Sequence, residues 1–114
     1  MQISKIETAA DEIARARLAR QRLAPLHGFL RPEDETAAYR VQAAVHERLR
    51  PTAGPRIGYK IGCTTPVMQQ YLGIPSPCAA GVFERGVHRS GVTLAFDDYA
   101  RVGVECEIAV RLGR

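Results

Sequence analysis

Apolar residues recur at helical spacing through the first half of this chain and at strand spacing through the second. Ile3, Ile6, Ala10 and Ile13 share one side of a helix of 3.6 residues per turn, which predicts a helix over residues 3–23. Beyond Ile13 the stripe runs into Arg17 and Arg20, a face for solvent or for a carboxylate-bearing partner. The stretch "LAPLHG" ends the helix at Pro25 and Gly28. A second helix is predicted from near Pro32. Proline suits a first helical turn, and Glu33, Asp34 and Glu35 suit the positive end of the helix dipole. Ala38, Val41, Val45 and Leu49 form its expected buried stripe, Pro51 its expected stop, and "PTAGP" a loop.

The period then changes to two. "RIGYKIGC" predicts a strand over 56–63. "TTPVMQQYLG" predicts a short helix with Thr65 as its N-cap, Pro66 at its first position and Gly73 as its stop. "IPSPCAAG" reads as a proline-rich turn, and "GVFERGVHRSGVTLAF" as short strands around Gly86 and Gly91. Val102, Val104, Cys106, Ile108, Val110 and Leu112 alternate without a break, predicting a closing strand over about 102–112. Helices lead and strands follow, so the expected class is α+β, with a helical region over 1–55 and a strand-bearing region over 56–114.

Composition narrows the function classes. The net charge is +4, and of the sixteen basic residues only Lys5 and Lys60 are lysines. The arginines are spread along the chain, aromatics are 6% and Trp is absent, so no basic run is interleaved with stacking rings, and no nucleic-acid partner is expected. No stretch approaches membrane-spanning length, and the N-terminus lacks the apolar core of a secretory signal. Cys63, Cys78 and Cys106 are an odd count without a CxxC, which argues against a disulfide scaffold or a structural zinc site and for a reduced, cytoplasmic protein.

Three features could carry chemistry. Glu105 and Glu107, two apart on a strand, leave the same face with Cα atoms about 6.6 Å apart. At an effective dielectric of about 20, unit charges that close repel by roughly 2 kcal/mol. On a solvated face water and salt absorb this. In a cleft a hard divalent cation balances it, since Mg²⁺ takes carboxylate oxygens at about 2.0–2.1 Å. Lys60, flanked by Gly58 and Gly62, has room for a substrate anion beside its ammonium; an edge-strand lysine that deters aggregation is the plainer reading. Cys78 in "PSPCAAG" has no histidine nearby in sequence and reads as a small packed residue rather than a nucleophile.

The order of these features is more specific than any one of them. "GYKIGCTTPVMQQYLGIPSPCAAGVF" followed by "RVGVECEIAVRLG" resembles the 2-oxopent-4-enoate (2-hydroxypenta-2,4-dienoate) hydratases and their sisters, the 2-oxo-3-hexenedioate decarboxylases, within the fumarylacetoacetate hydrolase superfamily. The similarity is sharpest from Gly58 to Gly113. It implies two N-terminal helices followed by the first strands of a mixed β-roll. It implies Glu105 and Glu107 as ligands of Mg²⁺ or Mn²⁺, Lys60 as a catalytic residue in proton transfer or carboxylate binding, and Leu72 beside the substrate. The implied substrate is a small 2-oxo- or 2-hydroxy-dienoic acid from aromatic catabolism, and the implied assembly a homo-oligomer. Many hydratases carry an aspartate where this chain has Cys78. The resemblance also implies a longer protein, with a third metal carboxylate and most of the roll beyond the ExE strand, so the chain is expected to be an N-terminal part. The alternatives are a decarboxylase of the sister type and a non-catalytic binding or assembly domain.

Overall fold

The computed structural model describes residues 1–113. Its elements are α1 (Ile3–Leu18), α2 (Glu35–Ala53), β1 (Arg56–Gly62), α3 (Pro66–Leu72) and β2 (Cys78–Phe83), with single 3₁₀ turns at Gly28–Leu30, Glu84–Gly86 and Phe96–Asp98. The class is therefore mixed α+β, as expected. The sheet among the described residues is a two-stranded antiparallel pair rather than a β-roll.

The core lies between the first two helices. Ile6, Ala9, Ala10 and Ala14 of α1 pack on Val41, Val45 and Leu49 of α2, with Leu30 closing one end. Ala9 and Ala10 have no exposed surface, so the helices meet at the smallest side chains available. Arg48 of α2 reinforces the contact by donating to the carboxylates of Glu7 and Asp11 on α1, and these hydrogen bonds raise its pKa further.

α1 stops at Leu18, short of residue 23, because the chain reverses there. Arg20 adopts φ 55°, and the Gln21 N–H donates to the Ala16 carbonyl at 2.9 Å, the closing bond of a left-handed helix stop. α2 begins at Glu35, after its cap: Asp34 Oδ1 accepts from the Ala37 N–H at 2.7 Å. Ala37 is buried and Ala38 exposed, so the stripe starts one position earlier than the pattern indicated. Pro51 does not stop the helix. It sits in the last turn, and the chain leaves at Gly54 (φ 81°), whose N–H reaches the Arg50 carbonyl.

β1 and α3 form nearly as their sequences predict. Thr65 Oγ1 accepts from the Met68 N–H, Pro66 opens α3, and Gly73 (φ 67°) ends it. Cys78 opens β2 instead of lying in a turn, and pairing runs from Gly62↔Cys78 through Lys60↔Ala80 to Arg56↔Phe83.

The expected strand at 102–112 does not form. Residues 102–112 have no regular structure and are exposed, and the short strands expected beyond Phe83 are likewise absent among the described residues. Alternation prepares a surface for pairing, but a strand exists only where a neighbour supplies the ladder, and no neighbouring strand reaches this segment among the described residues.

Candidate functional site

A groove of about 650 Å³ opens between the start of α2, the Ile74–Ser76 turn and the first half of β2. Its wall is mainly apolar, formed by Pro32, Ala38, Ile74, Pro75, Ala79 and Ala80. Its polar groups are Arg31, Asp34, Glu35, Tyr39, Gln42, Lys60 and Ser76, with the Cys78 thiol at the end nearest Gly62. Lys60 also borders a second groove of about 700 Å³, between α2 and the far end of β2.

Strand pairing places Lys60. It sits opposite Ala80, and the period of two puts Gly58 and Gly62 on its own side of β1, where neither covers the ammonium. Helix α2 places the opposite wall. Tyr39 Oη accepts from the Ala79 N–H at 3.0 Å, and Gln42 Nε2 donates to the Ala79 carbonyl at 3.0 Å. Both backbone groups of Ala79 are thus satisfied by helix side chains, so α2 caps the outer edge of β2 where a third strand would otherwise add. Tyr39 and Gln42 were not singled out in the sequence. Their spacing of three puts them on one helix face, but nothing local shows that the face meets a strand edge.

The Tyr39 oxygen accepts from Ala79, which leaves its own O–H proton to donate into the groove. Asp34 is partly spent, since one carboxylate oxygen caps α2. Two cations, Arg31 and Lys60, and the acids Asp34 and Glu35 therefore share an apolar cleft. Such a cleft holds a small anion with an apolar body, the charged end on a cation and the body on the Ile74–Pro75 and Ala79–Ala80 walls.

The other predicted site residues lie elsewhere. Leu72 is the last residue of α3, half-exposed, and does not border either groove; Ile74, just beyond it, does. Glu105 and Glu107 are exposed in the irregular C-terminal segment and border neither groove next to Lys60. Their oxygens are the hard donors that Mg²⁺ or Mn²⁺ takes, but among the described residues no group of three or more His, Cys, Asp or Glu side chains is gathered to hold an ion. The donor types suit a metal; a coordination site is not assembled, and no chemical step follows from one.

Two cysteines meet at the end of the groove. Cys78 Sγ lies 3.7 Å from Cys63 Sγ, and this hydrogen bond is the main cause that pushes the Cys63 thiol pKa up. Cys63 itself adopts φ 56°, a left-handed conformation that a non-glycine residue takes at a cost of about 1 kcal/mol, and its carbonyl accepts from Gln69 Nε2.

Comparison with known proteins gives a consistent set of relatives. The chain is 33% identical over 112 residues to a 2-keto-4-pentenoate hydratase of Paraburkholderia phymatum, covering 97% of this chain and 42% of the relative. It is 31% identical over 109 residues to the TodF product hydratase of Pseudomonas putida, covering 96% of this chain and 41% of the relative. A 2-keto-4-pentenoate hydratase of Burkholderia vietnamiensis matches at 31% over 112 residues, with 97% and 42% covered. The chain thus spans about two-fifths of the length of these curated relatives. No family model and no solved structure matches. None of the helix in these residues is long and apolar enough to cross a membrane.

Proposed function

We propose, on the premise that this chain corresponds to the N-terminal part of the 2-keto-4-pentenoate hydratase family, that it contributes the substrate groove of an enzyme adding water to a small 2-oxo- or 2-hydroxy-dienoic acid. The observation that carries the reading is Lys60 in the apolar groove beside α2. Such an acid has a carboxylate and an oxo or hydroxyl oxygen at one end and a conjugated hydrocarbon at the other. Lys60 supplies a compact positive charge for the carboxylate, with Arg31 as a second cation at the rim. Ile74, Pro75, Ala79 and Ala80 take the hydrocarbon.

Adding water across a conjugated double bond requires a proton at one carbon and a hydroxyl at another, and a side chain within hydrogen-bond reach speeds that proton transfer. Lys60 is the proton-moving group in this reading, and Tyr39 donates its O–H to the oxygen end of the substrate. Leu72, outside the groove at the end of α3, is proposed to stand beside the substrate next to Ile74. Glu105 and Glu107 are proposed as ligands of Mg²⁺ or Mn²⁺ once the 102–112 segment gains a strand partner. Such an ion, held by these two carboxylates, would supply Lewis-acid polarisation of the 2-oxo group. The working enzyme is proposed to be a homo-oligomer.

The test is a chimera in which this chain replaces the matching residues of the Paraburkholderia phymatum relative. The chimera is expected to consume 2-hydroxypenta-2,4-dienoate, followed by loss of its ultraviolet absorbance, while the 114-residue chain alone is not. Lys60→Met in the chimera is expected to lower turnover by about a hundredfold or more. A folded chimera without activity, or one that Lys60→Met leaves unchanged, overturns the reading. Release of carbon dioxide from a 2-oxo-hexenedioate, with no hydration, moves the assignment to the sister decarboxylases.

A further inference from the structure

The sulfur pair at the end of the groove takes part in none of the chemistry above. Cys63 is the first residue after β1 and Cys78 the first of β2, and Gly62, the neighbour of Cys63, pairs directly with Cys78. Sheet pairing therefore holds the two backbones at adjacent-strand spacing. At 3.7 Å the sulfurs are in van der Waals contact, so both side chains already point at each other with no atom between them. Converging side chains on adjacent strands are what a disulfide requires. Cys78 is exposed and Cys63 half-buried, so an oxidant reaches Cys78 first and Cys63 stands behind it as the resolving thiol. Cys106, the third cysteine, lies in the irregular C-terminal segment.

We propose that Cys63 and Cys78 are an oxidative modification site, closing to a reversible disulfide when a peroxide reacts with Cys78. The Cys78 thiolate attacks one peroxide oxygen; the S–O bond forms, the O–O bond breaks, and the departing hydroxide takes a proton and leaves as water. The Cys63 sulfur then attacks the Cys78 sulfenic sulfur. The S–S bond forms, the S–O bond breaks, and the hydroxide leaves as a second water with the Cys63 proton. The two thiols lose two electrons and the peroxide gains them. A dithiol reductant reverses the reaction by exchange.

Closure acts on the groove beside it. The bond joins two positions separated by fifteen residues, and the loop so closed holds α3 and the Ile74–Ser76 wall. It also removes a thiol from the groove lining. In the oxidised chain a covalent bond joins the two ends of this loop; in the reduced chain strand pairing and non-covalent contacts alone hold those ends together.

The test treats the reduced chain with substoichiometric to modest excess hydrogen peroxide and counts free thiols. The titre is expected to fall from three to one, a Cys63–Cys78 cross-linked peptide is expected on non-reducing peptide mapping, and dithiothreitol is expected to restore all three thiols. The Cys63→Ser variant, lacking the resolving thiol, is expected to accumulate a Cys78 sulfenic acid that a cyclic dione traps, whereas the parent chain gives little adduct. Cys106→Ser leaves the cross-link intact. Retention of all three thiols, oxidation of Cys78 to the sulfinic acid without a cross-link in the parent chain, or disulfides formed only between chains through Cys106 overturns the proposal.

Discussion

His46 ties the helical layer to the sheet. Its ring meets Phe83 edge-on, with centroids 5.1 Å apart and planes at 84°. Burial lowers its pKa below the usual 6.5, and the nearby charges of Arg56 and Arg17 lower it further, against a smaller opposing pull from Glu47. The folded chain therefore binds this proton less readily than the unfolded chain does. The contribution of neutral His46 is complete above the unfolded value of 6.5 and is lost as pH falls through the lower folded value. Urea unfolding midpoints are expected to drop between about pH 7.5 and about pH 5.5, and His46→Gln is expected to flatten that drop. An unchanged pH slope in the variant overturns the assignment. Histidine and phenylalanine stand thirty-seven positions apart in a sequence that shows neither as a partner of the other; burial by a distant strand is what shifts the ring.

At the scale of elements, the α1–α2 contact depends on small side chains. Ala9 and Ala10 are fully covered, and the adjoining Val41, Val45 and Leu49 fill what space the alanines leave. Ala10→Leu is expected to force the helices apart at a cost of about 1–3 kcal/mol, read as a lowered denaturation midpoint with helical signal retained. A midpoint equal to the parent's shows that the contact is looser than described. The helices were legible because their hydrogen bonds close within four residues and their buried faces follow one period. Their ends were less so. Arg20 takes a left-handed conformation that glycine or asparagine would have announced, and Pro51 looked like a stop although a last-turn proline still leaves Gly54 free to bond Arg50. The caps at Thr65 and Gly73 were readable because cap chemistry is local.

At the scale of the molecule, the chain divides its surface unequally. α1 and α2 bury a shared interior and β2 is partly covered, whereas Val104, Ile108, Val110 and Leu112 are 91%, 97%, 81% and 89% exposed. On the way into this segment Asp98 pairs with Arg20, just beyond the end of α1, at 2.9 Å. Apolar residues at every second position with free backbone groups are a template for pairing with another strand. Sedimentation is expected to show concentration-dependent association of the 114-residue chain, and Ile108→Lys is expected to shift it toward monomer. A parent chain that stays monomeric at all concentrations removes this expectation.

The amino-acid order alone was enough for the two amphipathic helices, the β1 strand, the capped α3 helix, the α+β class and the hydratase resemblance that the relatives bear out. The helices rest on contacts within a few residues and the resemblance on a motif order visible in the chain; β1 was legible from its pattern, although its ladder is supplied by β2. Folding in three dimensions was needed to bring Tyr39 and Gln42 onto the edge of β2, to set Lys60 in a groove opposite α2, and to press Cys63 against Cys78. It also left Glu105 and Glu107 outside any strand, although their alternation was the clearest in the sequence. A helix carries its own hydrogen-bond partners; a strand borrows them from elsewhere, and its pattern states only what it could pair with.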